Sequence, residues 1–358
     1  MKILAISDSY PIHPRLKKVS RYFGGKEATT FLLWNRGDSE IQGNIGEIVF
    51  NLPSVLGNKW GKALKLIQFR KAVKAHLNLT DYEVVICRHW QQLFLLLSIS
   101  NKKKYEIIYD VCDMPNKKWI RYIESKLIKK TNVVVLASRF FFTDYTTKTK
   151  NLIVLENRPW ENVNNSELTF LEVYEEKLNS VKHLTFLGRI RYGDILIRLI
   201  KCVQKNSEIV LNFYGTGPDE QKLIHFVNQN KIKNVFFYGE YSEKDIPSIY
   251  QKSDYIWAAY DNHLFNVKKA ISNKFFETLT YQTPGIFAED TELGALIDMQ
   301  GIGLIVNPYS AESIEHCLKK IKDQSVSNEI KENQKNWSEP LYFDNYLGES
   351  PYLKINEM

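Results

Sequence analysis

The sequence predicts an α/β fold of two Rossmann-like, doubly wound domains, and three observations lead there. Short runs rich in Val, Ile and Phe alternate with helical stretches through most of the 358 residues. Most of these runs are continuously apolar, as expected of parallel strands buried on both faces. Their alternation with helices indicates βαβ units, and the length allows two hydrophobic cores.

The predicted strands form two series, one in each half of the chain. The first series comprises Lys2–Ser7, Thr29–Trp34, Glu83–Arg88, Glu106–Asp110 and Asn132–Leu136. The second comprises Leu184–Gly188, Ile209–Tyr214, Val235–Gly239, Tyr255–Ala258, Gly285–Ala288 and Gly303–Val306. Helices are predicted between the strands, among them Pro14–Phe23, Ser138–Thr147, Pro218–Asn230 and Glu243–Lys252.

A polar, irregular stretch from Asn157 to Ser166 separates the two series, so the interdomain connection is expected there. The predicted domains are therefore residues 1–160 and residues 161–334. The segment 335–358 carries several aromatic residues, and we expect it to dock back on the N-terminal domain.

Composition and charge exclude several classes of protein. No apolar run approaches the roughly 20 residues of a transmembrane helix, and the N-terminus reads as a first strand, so a cytoplasmic protein is expected. The 4 cysteines lack C-x-x-C spacing and predict neither a disulfide framework nor a zinc site. The net charge of +7 permits an anionic partner without selecting one. We expect no metal, no bound cofactor and no nucleic-acid partner.

The segment Ser272–Phe287 predicts one helix that presents charges to a ligand. Lys274 and Glu277 are three residues apart and are therefore neighbours on the helix surface. The apolar face behind them comprises Phe275, Phe276, Leu279 and Thr280. A cation and a carboxylate together suit an anionic ligand that bears hydroxyl groups. The alternative is a surface ion pair on an ordinary amphipathic helix.

Two glycine-containing turns follow predicted strands of the second series. Gly188-Arg189-Ile190-Arg191 brings arginine to the carboxyl edge of the sheet, where ligands of open α/β sheets bind. Arginine suits a diphosphate because its planar fork donates two parallel hydrogen bonds. The run from Gly215 to Asp219 is either a phosphate cradle or a tight strand-to-helix turn.

These motifs, in this order, resemble the retaining glycosyltransferases of family 4. The N-K-x-x-E-x-x-x-x-x-x-P pattern of that family matches Asn273, Lys274, Glu277 and Pro284. The resemblance spans nearly the whole chain, strongly in the second half and loosely in the first. It implies the GT-B fold, in which two Rossmann-like domains face a cleft. It also implies metal-independent transfer of a sugar from a nucleoside diphosphate sugar, with retention.

The resemblance further implies roles for individual residues. Arg189 and Lys274 would hold the diphosphate, Glu277 the ribose hydroxyls, and the backbone from Gly239 through Glu240 to Tyr241 the nucleobase. Lys269 stands where many members carry a second glutamate, and Ile195 stands where many carry a lysine. Arg191, Lys268, Lys269 or Lys274 would then supply the missing cation.

In the first half, the resemblance concerns the acceptor side. The loop with His13 and Arg15 is similar to the family's P-x-x-P-R-x-x-K segment. The run from Tyr109 to Asp113 is similar to Y-D-x-H-D beside the reaction centre, with Cys112 in place of histidine. His89 follows a predicted strand, so we group it with Asp113 as a catalytic candidate.

Basic and apolar residues alternate between Pro53 and Leu79 and predict a basic amphipathic helix. Its cationic part, Lys59 to Lys74, has the composition of a helix that lies on an anionic membrane. A helix packed on the core with a solvated basic face is the alternative.

The sequence therefore predicts a glycosyltransferase of cell-surface polysaccharide synthesis, with a saccharide or a lipid-linked saccharide as acceptor. Two alternatives stay open. One is a scaffold that binds a nucleotide sugar without turnover, which Lys269 favours. The other is a sugar-nucleotide epimerase or hydrolase on the same fold, which needs a base or water-activating carboxylate that no motif marks.

Overall fold

The computed structural model describes residues 1–24, 29–53, 59–99, 105–149, 151–161 and 181–347, and for 59–63 the backbone only. The described residues form two compact units. One contains Met1–Asn157 and the segment from Phe343, and the other contains Arg158–Tyr342. The boundaries predicted from the sequence are at residues 160 and 334.

The N-terminal domain is a seven-stranded parallel sheet in the order β3-β2-β1-β4-β5-β6-β7. Its strands are β1 (Ile3–Ser7), β2 (Thr29–Asn35), β3 (Glu47–Asn51), β4 (Val84–Cys87), β5 (Glu106–Val111), β6 (Val133–Leu136) and β7 (Leu152–Val154). Its helices are α1 (Pro14–Gly24), α2 (Lys59–Leu79), α3 (Trp90–Ile99), α4 (Lys118–Ile128) and α5 (Phe142–Tyr145).

The C-terminal domain is a six-stranded parallel sheet in the order β10-β9-β8-β11-β12-β13. Its strands are β8 (Lys182–Leu187), β9 (Ile209–Tyr214), β10 (Val235–Phe237), β11 (Tyr255–Ala258), β12 (Gly285–Ala288) and β13 (Gly303–Val306). Its first helices are α6 (Gly193–Val203), α7 (Glu220–Gln229), α8 (Ile246–Gln251) and α9 (Phe265–Lys269). The others are α10 (Asn273–Thr280), α11 (Glu292–Gln300), α12 (Ala311–Lys320) and α13 (Gln324–Lys335).

Both sheets reverse their winding direction beside their first strand. The chain adds two strands on one side of β1 and then β4 on the other, and it repeats this around β8 with β11. In open α/β sheets, ligands bind outside the carboxyl ends of the strands at such a switch point. The ends of β1 and β4, and those of β8 and β11, are therefore the places to look for a site.

The central strands match the prediction because they are buried along their whole length, as β1, β4, β6, β11 and β12 are. Strands β3 and β7 were not among the predicted strands. Both lie at the edges of the sheet and are only partly buried.

Some predicted elements differ in form or extent. The predicted helix Ser138–Thr147 is a 3₁₀ turn, Arg139–Phe141, followed by the single turn α5.

In the C-terminal segment, Phe343 is buried in the N-terminal domain with the amine of Lys18 5.9 Å from its ring centre. Among the described residues, no helix has the length and hydrophobicity needed to cross a membrane.

Candidate functional site

Three glycines at the ends of β8, β9 and β10 shape the carboxyl edge of the C-terminal sheet. Gly188, Gly215 and Gly239 all have positive φ angles, of 124°, 113° and 72°. A Cβ atom on Gly215 would lie 2.1 Å from the carbonyl oxygen of Gly188, so only glycine fits there. The Gly215 N–H donates to the Gly239 carbonyl at 2.6 Å. This packing identifies the turn after β9 as a structural feature of the edge.

Helix α10 delivers Lys274 to this edge. Ser272 caps the helix by accepting a hydrogen bond from the Lys274 N–H, and Phe275, Phe276 and Leu279 are buried on the face behind it. Lys274 itself is only 9% exposed. A Cβ atom on Gly188 would lie 3.4 Å from its Nζ. The structure thus brings the amine of Lys274 directly over the end of β8.

The surroundings of Lys274 keep its amine charged. Burial alone lowers the pKa of a lysine, and the positive end of a helix dipole also opposes a cation in the first turn. Tyr260, Glu277 and Tyr241 more than offset the burial and raise the pKa of Lys274, while Arg191 lowers it. A buried lysine held charged at a sheet edge is a typical feature of an anion-binding site.

Glu277 lies one turn along α10 and is half-buried. Its Oε2 accepts a hydrogen bond from the hydroxyl of Tyr250 at 2.7 Å. Burial and the charge of Glu277 raise the pKa of Tyr250 well above its usual value, so this tyrosine is a neutral donor. A carboxylate has about four acceptor positions, so Glu277 keeps acceptor capacity for a ligand.

Tyrosine rings surround the Lys274–Glu277 pair. Tyr241, in the turn after β10, packs on a small apolar cluster that includes Tyr250. Tyr281 lies one turn beyond Glu277, with its ring centre 4.8 Å from that of Tyr250. Tyr260 follows β11, and its ring centre lies 6.2 Å from that of Tyr192. The pair therefore lies in a largely aromatic setting at the switch point between β8 and β11.

The structure brings together Gly188, Tyr241, Lys274 and Glu277 from the predicted set, with the charge of Arg191 close enough to act on Lys274. The other predicted residues of this domain lie around them with fewer described contacts. Arg189 and Asn273 are exposed, the former after Gly188 and the latter at the start of α10, and Glu240 is exposed after Gly239. Lys269 lies at the end of α9, with its amine 5.9 Å from the centre of the Phe265 ring.

A second polar cluster lies at the switch point of the N-terminal sheet, where β1, β4 and β5 end. Asp8 accepts hydrogen bonds from Arg36 at 2.6 Å and from Gln92 at 2.9 Å. Arg88 is 6% exposed and donates from Nε to the sulfur of Cys112 at 3.1 Å. Burial alone would raise the pKa of Asp8, but Arg36, His89 and Gln92 lower it overall. Asp8 is therefore ionised.

Three of the predicted residues of this domain, His13, His89 and Asp113, belong to the same cluster. Burial and the charge of Arg88 lower the pKa of His89, whereas Asp8 and Asp113 act in the opposite direction. His13 keeps exposed surface, but burial of part of the residue and the charge of Arg88 lower its pKa to about 4. Both histidines are therefore neutral at physiological pH.

Arg15 has a different environment from the one that the sequence suggested. It is 2% exposed, and its Nη2 donates to Asp110 at 2.6 Å while Nη1 donates to the Leu155 carbonyl at 2.7 Å. Asp110 is fully buried. Its charge outweighs the burial and raises the pKa of Arg15. This ion pair ties α1 to β5, which leaves His13 as the exposed predicted residue of the first loop.

Neither domain contains a metal-binding cluster of His, Cys, Asp and Glu side chains among the described residues. A cavity of about 290 Å³ lies elsewhere in the C-terminal domain. Its walls include Leu296, Gln300, Asn333, Trp337 and Glu339, from α11, α13 and the segment after α13. None of the predicted site residues lines this cavity.

Sequence reasoning missed Tyr250, Tyr260 and Arg88. Arg88 directly follows β4, and Tyr260 follows β11 after one intervening residue. Both strands lie at a switch point, so a stricter use of the carboxyl-edge rule would have found both residues. Tyr250 lies on α8 and reaches Glu277 only through tertiary packing. No local sequence signal marks that contact.

Comparisons with known proteins agree with this architecture. Residues 173–337 match the family described as "Glycosyl transferases group 1". Sucrose-phosphate synthase from Thermosynechococcus elongatus superimposes with a TM-score of 0.71 at 11% identity, over 100% of this chain and 99% of that one. Alr3699/HepE from Anabaena, in complex with UDP-glucose, gives a TM-score of 0.72 at 13% identity over 100% of both chains.

WaaG, a glycosyltransferase involved in lipopolysaccharide biosynthesis, gives a TM-score of 0.70 at 12% identity, over 98% of this chain and 99% of that one. A search of curated proteins gave no significant match. Identities this low show the fold alone, whereas the family match covers the domain that holds Lys274 and Glu277. The chain therefore has the GT-B fold, and its residues 173–337 are similar to the glycosyl transferases group 1 family.

Proposed function

We propose that this protein is a glycosyltransferase that moves a hexosyl group from a nucleoside diphosphate sugar to a saccharide or lipid-linked saccharide. The observation that carries the proposal is the Lys274–Glu277 pair at the carboxyl edge of β8, held by α10 beside Gly188. A charged amine and a carboxylate one helical turn apart match two neighbouring parts of a nucleoside diphosphate. The amine suits the diphosphate, and the carboxylate suits the ribose hydroxyls.

Lys274 contacts the diphosphate in this proposal, and the positive end of the α10 dipole adds to its attraction for an anion. Arg189 and Arg191 add positive charge from the turn after β8. As the bond to the donor sugar breaks, negative charge grows on the departing diphosphate. Preorganised cations stabilise that charge more in the transition state than in the ground state, which is how they accelerate the reaction.

Glu277 accepts hydrogen bonds from the ribose, and the backbone from Gly239 to Tyr241 contacts the base. Tyr241 is half-buried beside the pair, so its ring limits the space between ribose and base. Two structures of one neighbour support a nucleotide ligand, since HepE is described in complex with UDP and with UDP-glucose.

The cations at this site make a metal ion unnecessary for charge neutralisation, so we propose metal-independent transfer, with retention as the family resemblance implies. Turnover should then persist when divalent ions are removed with EDTA. Loss of turnover in EDTA that added Mg²⁺ or Mn²⁺ restores would contradict this part of the proposal.

The acceptor side is assigned to the cluster at the ends of β1, β4 and β5. Asp113 is exposed there, and His13 and His89 are neutral bases within the same cluster. Asp113 and His13 are suited to orient an acceptor hydroxyl, and His89 is suited to accept its proton. A role in cell-surface polysaccharide synthesis is in keeping with WaaG, which is described as acting in lipopolysaccharide biosynthesis.

We extend the proposal to an anionic membrane surface, the inner face of the plasma membrane. The exposed stripe of α2 carries Leu64 and Ile67, followed at i+7 and i+10 by Lys71 and Lys74. Helix α4 repeats the pattern with Trp119, Tyr122, Lys126 and Lys129, all exposed. Both helices pack against α3, which exposes Phe94. Apolar side chains beside lysines are the composition of surfaces that bind anionic bilayers.

The same helix α2 also packs on the core. Phe69 and Val73 are fully buried, and the Phe69 ring stacks on Trp34 with ring centres 5.3 Å apart. These two residues lie on the face opposite the exposed stripe. Core packing and membrane contact therefore use different sides of α2, and one does not exclude the other.

The experiment that tests the donor site is thermal unfolding in the presence of UDP, GDP, ADP and the corresponding nucleosides. One diphosphate should raise the melting temperature well above the effect of its nucleoside. Lys274→Met, which keeps the length of the side chain without its charge, should remove most of that difference. Lys319→Met, an exposed lysine of α12, is the matched control and should not. Equal stabilisation by nucleoside and diphosphate in the parent would overturn the proposal.

Lys269 favours one second candidate, a scaffold that binds a nucleotide sugar without turnover, because it replaces a glutamate common in the resembling family. Sugar release measured by mass spectrometry separates the two. If the protein is a transferase in which Lys269 contacts the donor, Lys269→Glu should reduce turnover. A scaffold should bind the donor without releasing its sugar, and Lys269→Glu should leave it inactive or give it activity.

A further inference from the structure

Tyr250 and Glu277 come from different helices and meet in a single defined contact. Tyr250 lies near the end of α8 and is fully buried, and its hydroxyl donates to Oε2 of Glu277 at 2.7 Å. The two residues are 27 positions apart in the chain. A charge-assisted hydrogen bond of this length fixes the carboxylate as well as the hydroxyl.

The Tyr250 ring is fixed by its packing, so its hydroxyl can orient the carboxylate of Glu277. It packs in a cluster with Leu187, Ile249 and Ile256, so both β8 and β11 contribute to its position. The Tyr281 ring covers it at 4.8 Å between ring centres. Its backbone carbonyl accepts a hydrogen bond from the Thr283 hydroxyl at 3.3 Å. Motion of the ring would therefore require repacking of this cluster.

The contact divides the two oxygens of Glu277 between two tasks. Oε2 is engaged by Tyr250, whereas Oε1 has no described protein partner and belongs to a half-buried side chain. A glutamate without such a partner samples several rotamers at its terminal torsions. With Oε2 fixed, the orientation in which Oε1 meets a ligand is set before the ligand arrives, which lowers the ordering cost of binding.

We propose that Tyr250 is a positioning residue that holds Glu277 for the ribose and so sets the preference for ribonucleotide over 2′-deoxyribonucleotide donors. This rests on the proposed function, in which Glu277 contacts the ribose. Tyr250 itself touches neither the donor nor the acceptor. Its effect is on donor recognition, so it should change KM for the donor and leave kcat close to that of the parent.

The test uses the ribonucleoside diphosphate that stabilises the parent most, together with its 2′-deoxy form, in calorimetric titrations. Tyr250→Phe keeps the ring in its cluster and removes only the hydroxyl. The ratio of ribo to 2′-deoxy affinity should fall about threefold to tenfold, the loss expected for about one hydrogen bond. Affinity for the 2′-deoxy form should change little. Glu277→Asp, which withdraws the carboxylate from the hydroxyl without touching the packed ring, should lower the same ratio.

A double-mutant cycle and a matched control separate positioning from a loss of stability. If Tyr250 acts through Glu277, then Tyr250→Phe added to Glu277→Gln should cause no further fall in the ratio. Tyr145→Phe removes a similar buried hydroxyl, which donates to Glu124 Oε2 at 2.8 Å in the N-terminal domain. That variant should lower the melting temperature and leave the ratio unchanged.

Two results would overturn the inference, and they differ in what they say about the proposed function. If Glu277→Gln lowers the ratio and Tyr250→Phe does not, the ribose assignment stands and the role of Tyr250 falls. If the parent has no preference for the ribonucleotide and Glu277→Gln changes nothing, the ribose assignment and the role of Tyr250 fall together.

Discussion

The amine of Lys274 lies 3.4 Å from the position that a Cβ atom on Gly188 would occupy. Gly188 ends β8 with φ of 124°, a conformation that side chains disfavour. The glycine therefore has two roles. It lets the chain turn away from the sheet, and its lack of a side chain leaves room for the buried Lys274, which lies 86 positions further along the chain (274 − 188). Backbone conformation and charge placement at this site depend on each other.

We predict that Gly188→Ala lowers both stability and affinity for a nucleoside diphosphate. The strained φ should cost about 1–3 kcal/mol in the free energy of unfolding, measured with urea. The added methyl group meets the Lys274 amine, so calorimetry should also show weaker diphosphate binding. Gly46→Ala is the control, because Gly46 has φ of 82° but only an ordinary contact at 3.6 Å and lies in the other domain. Unchanged diphosphate affinity in Gly188→Ala would count against this arrangement.

Arg189→Ala should weaken nucleoside diphosphate binding far more than nucleoside binding. The side chain is exposed directly after Gly188, where it is free of burial costs and near the proposed diphosphate. A hydrogen bond to a charged group contributes about 1.5–3 kcal/mol, which corresponds to about tenfold to a hundredfold in affinity. Calorimetry with the diphosphate and with its nucleoside measures both. Equal diphosphate affinity in variant and parent would remove Arg189 from the site.

Much of the fold was predictable because its signals are local. Strands β11 and β12 are continuous apolar runs bounded by turn residues, and such runs have few other interpretations in a βαβ chain. The Lys274–Glu277 pair was predictable for the same reason, since a spacing of three residues on a helix fixes their proximity. The edge strand β3 was not predicted, because it is partly exposed and the polar residues at its two ends leave only a short apolar run.

The contacts that give the site residues their properties were not predictable from local pattern. Tyr250 meets Glu277 across 27 positions, and Arg15 meets Asp110 across 95. In both cases the residue types alone allow many partners, and only the packing of whole elements selects one. Arg15 was assigned to the acceptor side because its loop resembles the P-x-x-P-R-x-x-K segment of the family. Its guanidinium is instead engaged by Asp110 and Leu155 inside the domain.

Binding to anionic vesicles should depend on both α2 and α4. At low salt the protein should sediment together with vesicles of phosphatidylcholine and phosphatidylserine. It should be released as the salt concentration rises, because screening weakens the attraction between the lysines and the anionic lipids. Charge reversal at Lys71 and Lys74 should weaken sedimentation, and reversal at Lys126 and Lys129 should do the same. Reversal at Lys319 and Lys320, exposed on α12, changes net charge equally and should have little effect. Binding that ignores salt and lipid charge would contradict a membrane role for these stripes.

The final prediction concerns the pH dependence of stability through His13. The Arg15 N–H donates to Nδ1 of His13 at 3.2 Å, so that nitrogen acts as an acceptor and must be unprotonated. Burial and the charge of Arg88 lower the pKa of His13 to about 4 in the folded state, from the usual value of 6.5. Between these values the unfolded chain binds the proton more tightly than the folded one. The stabilisation that the neutral His13 gives to the folded state is therefore complete above pH 6.5 and is lost as the pH falls toward 4.

His13→Asn keeps an acceptor near the Nδ1 position but does not titrate, so its free energy of unfolding should fall less than that of the parent between pH 7 and about 4.5. Urea unfolding of both proteins at a series of pH values measures this difference, and parallel curves would show that the protonation of His13 is not linked to folding.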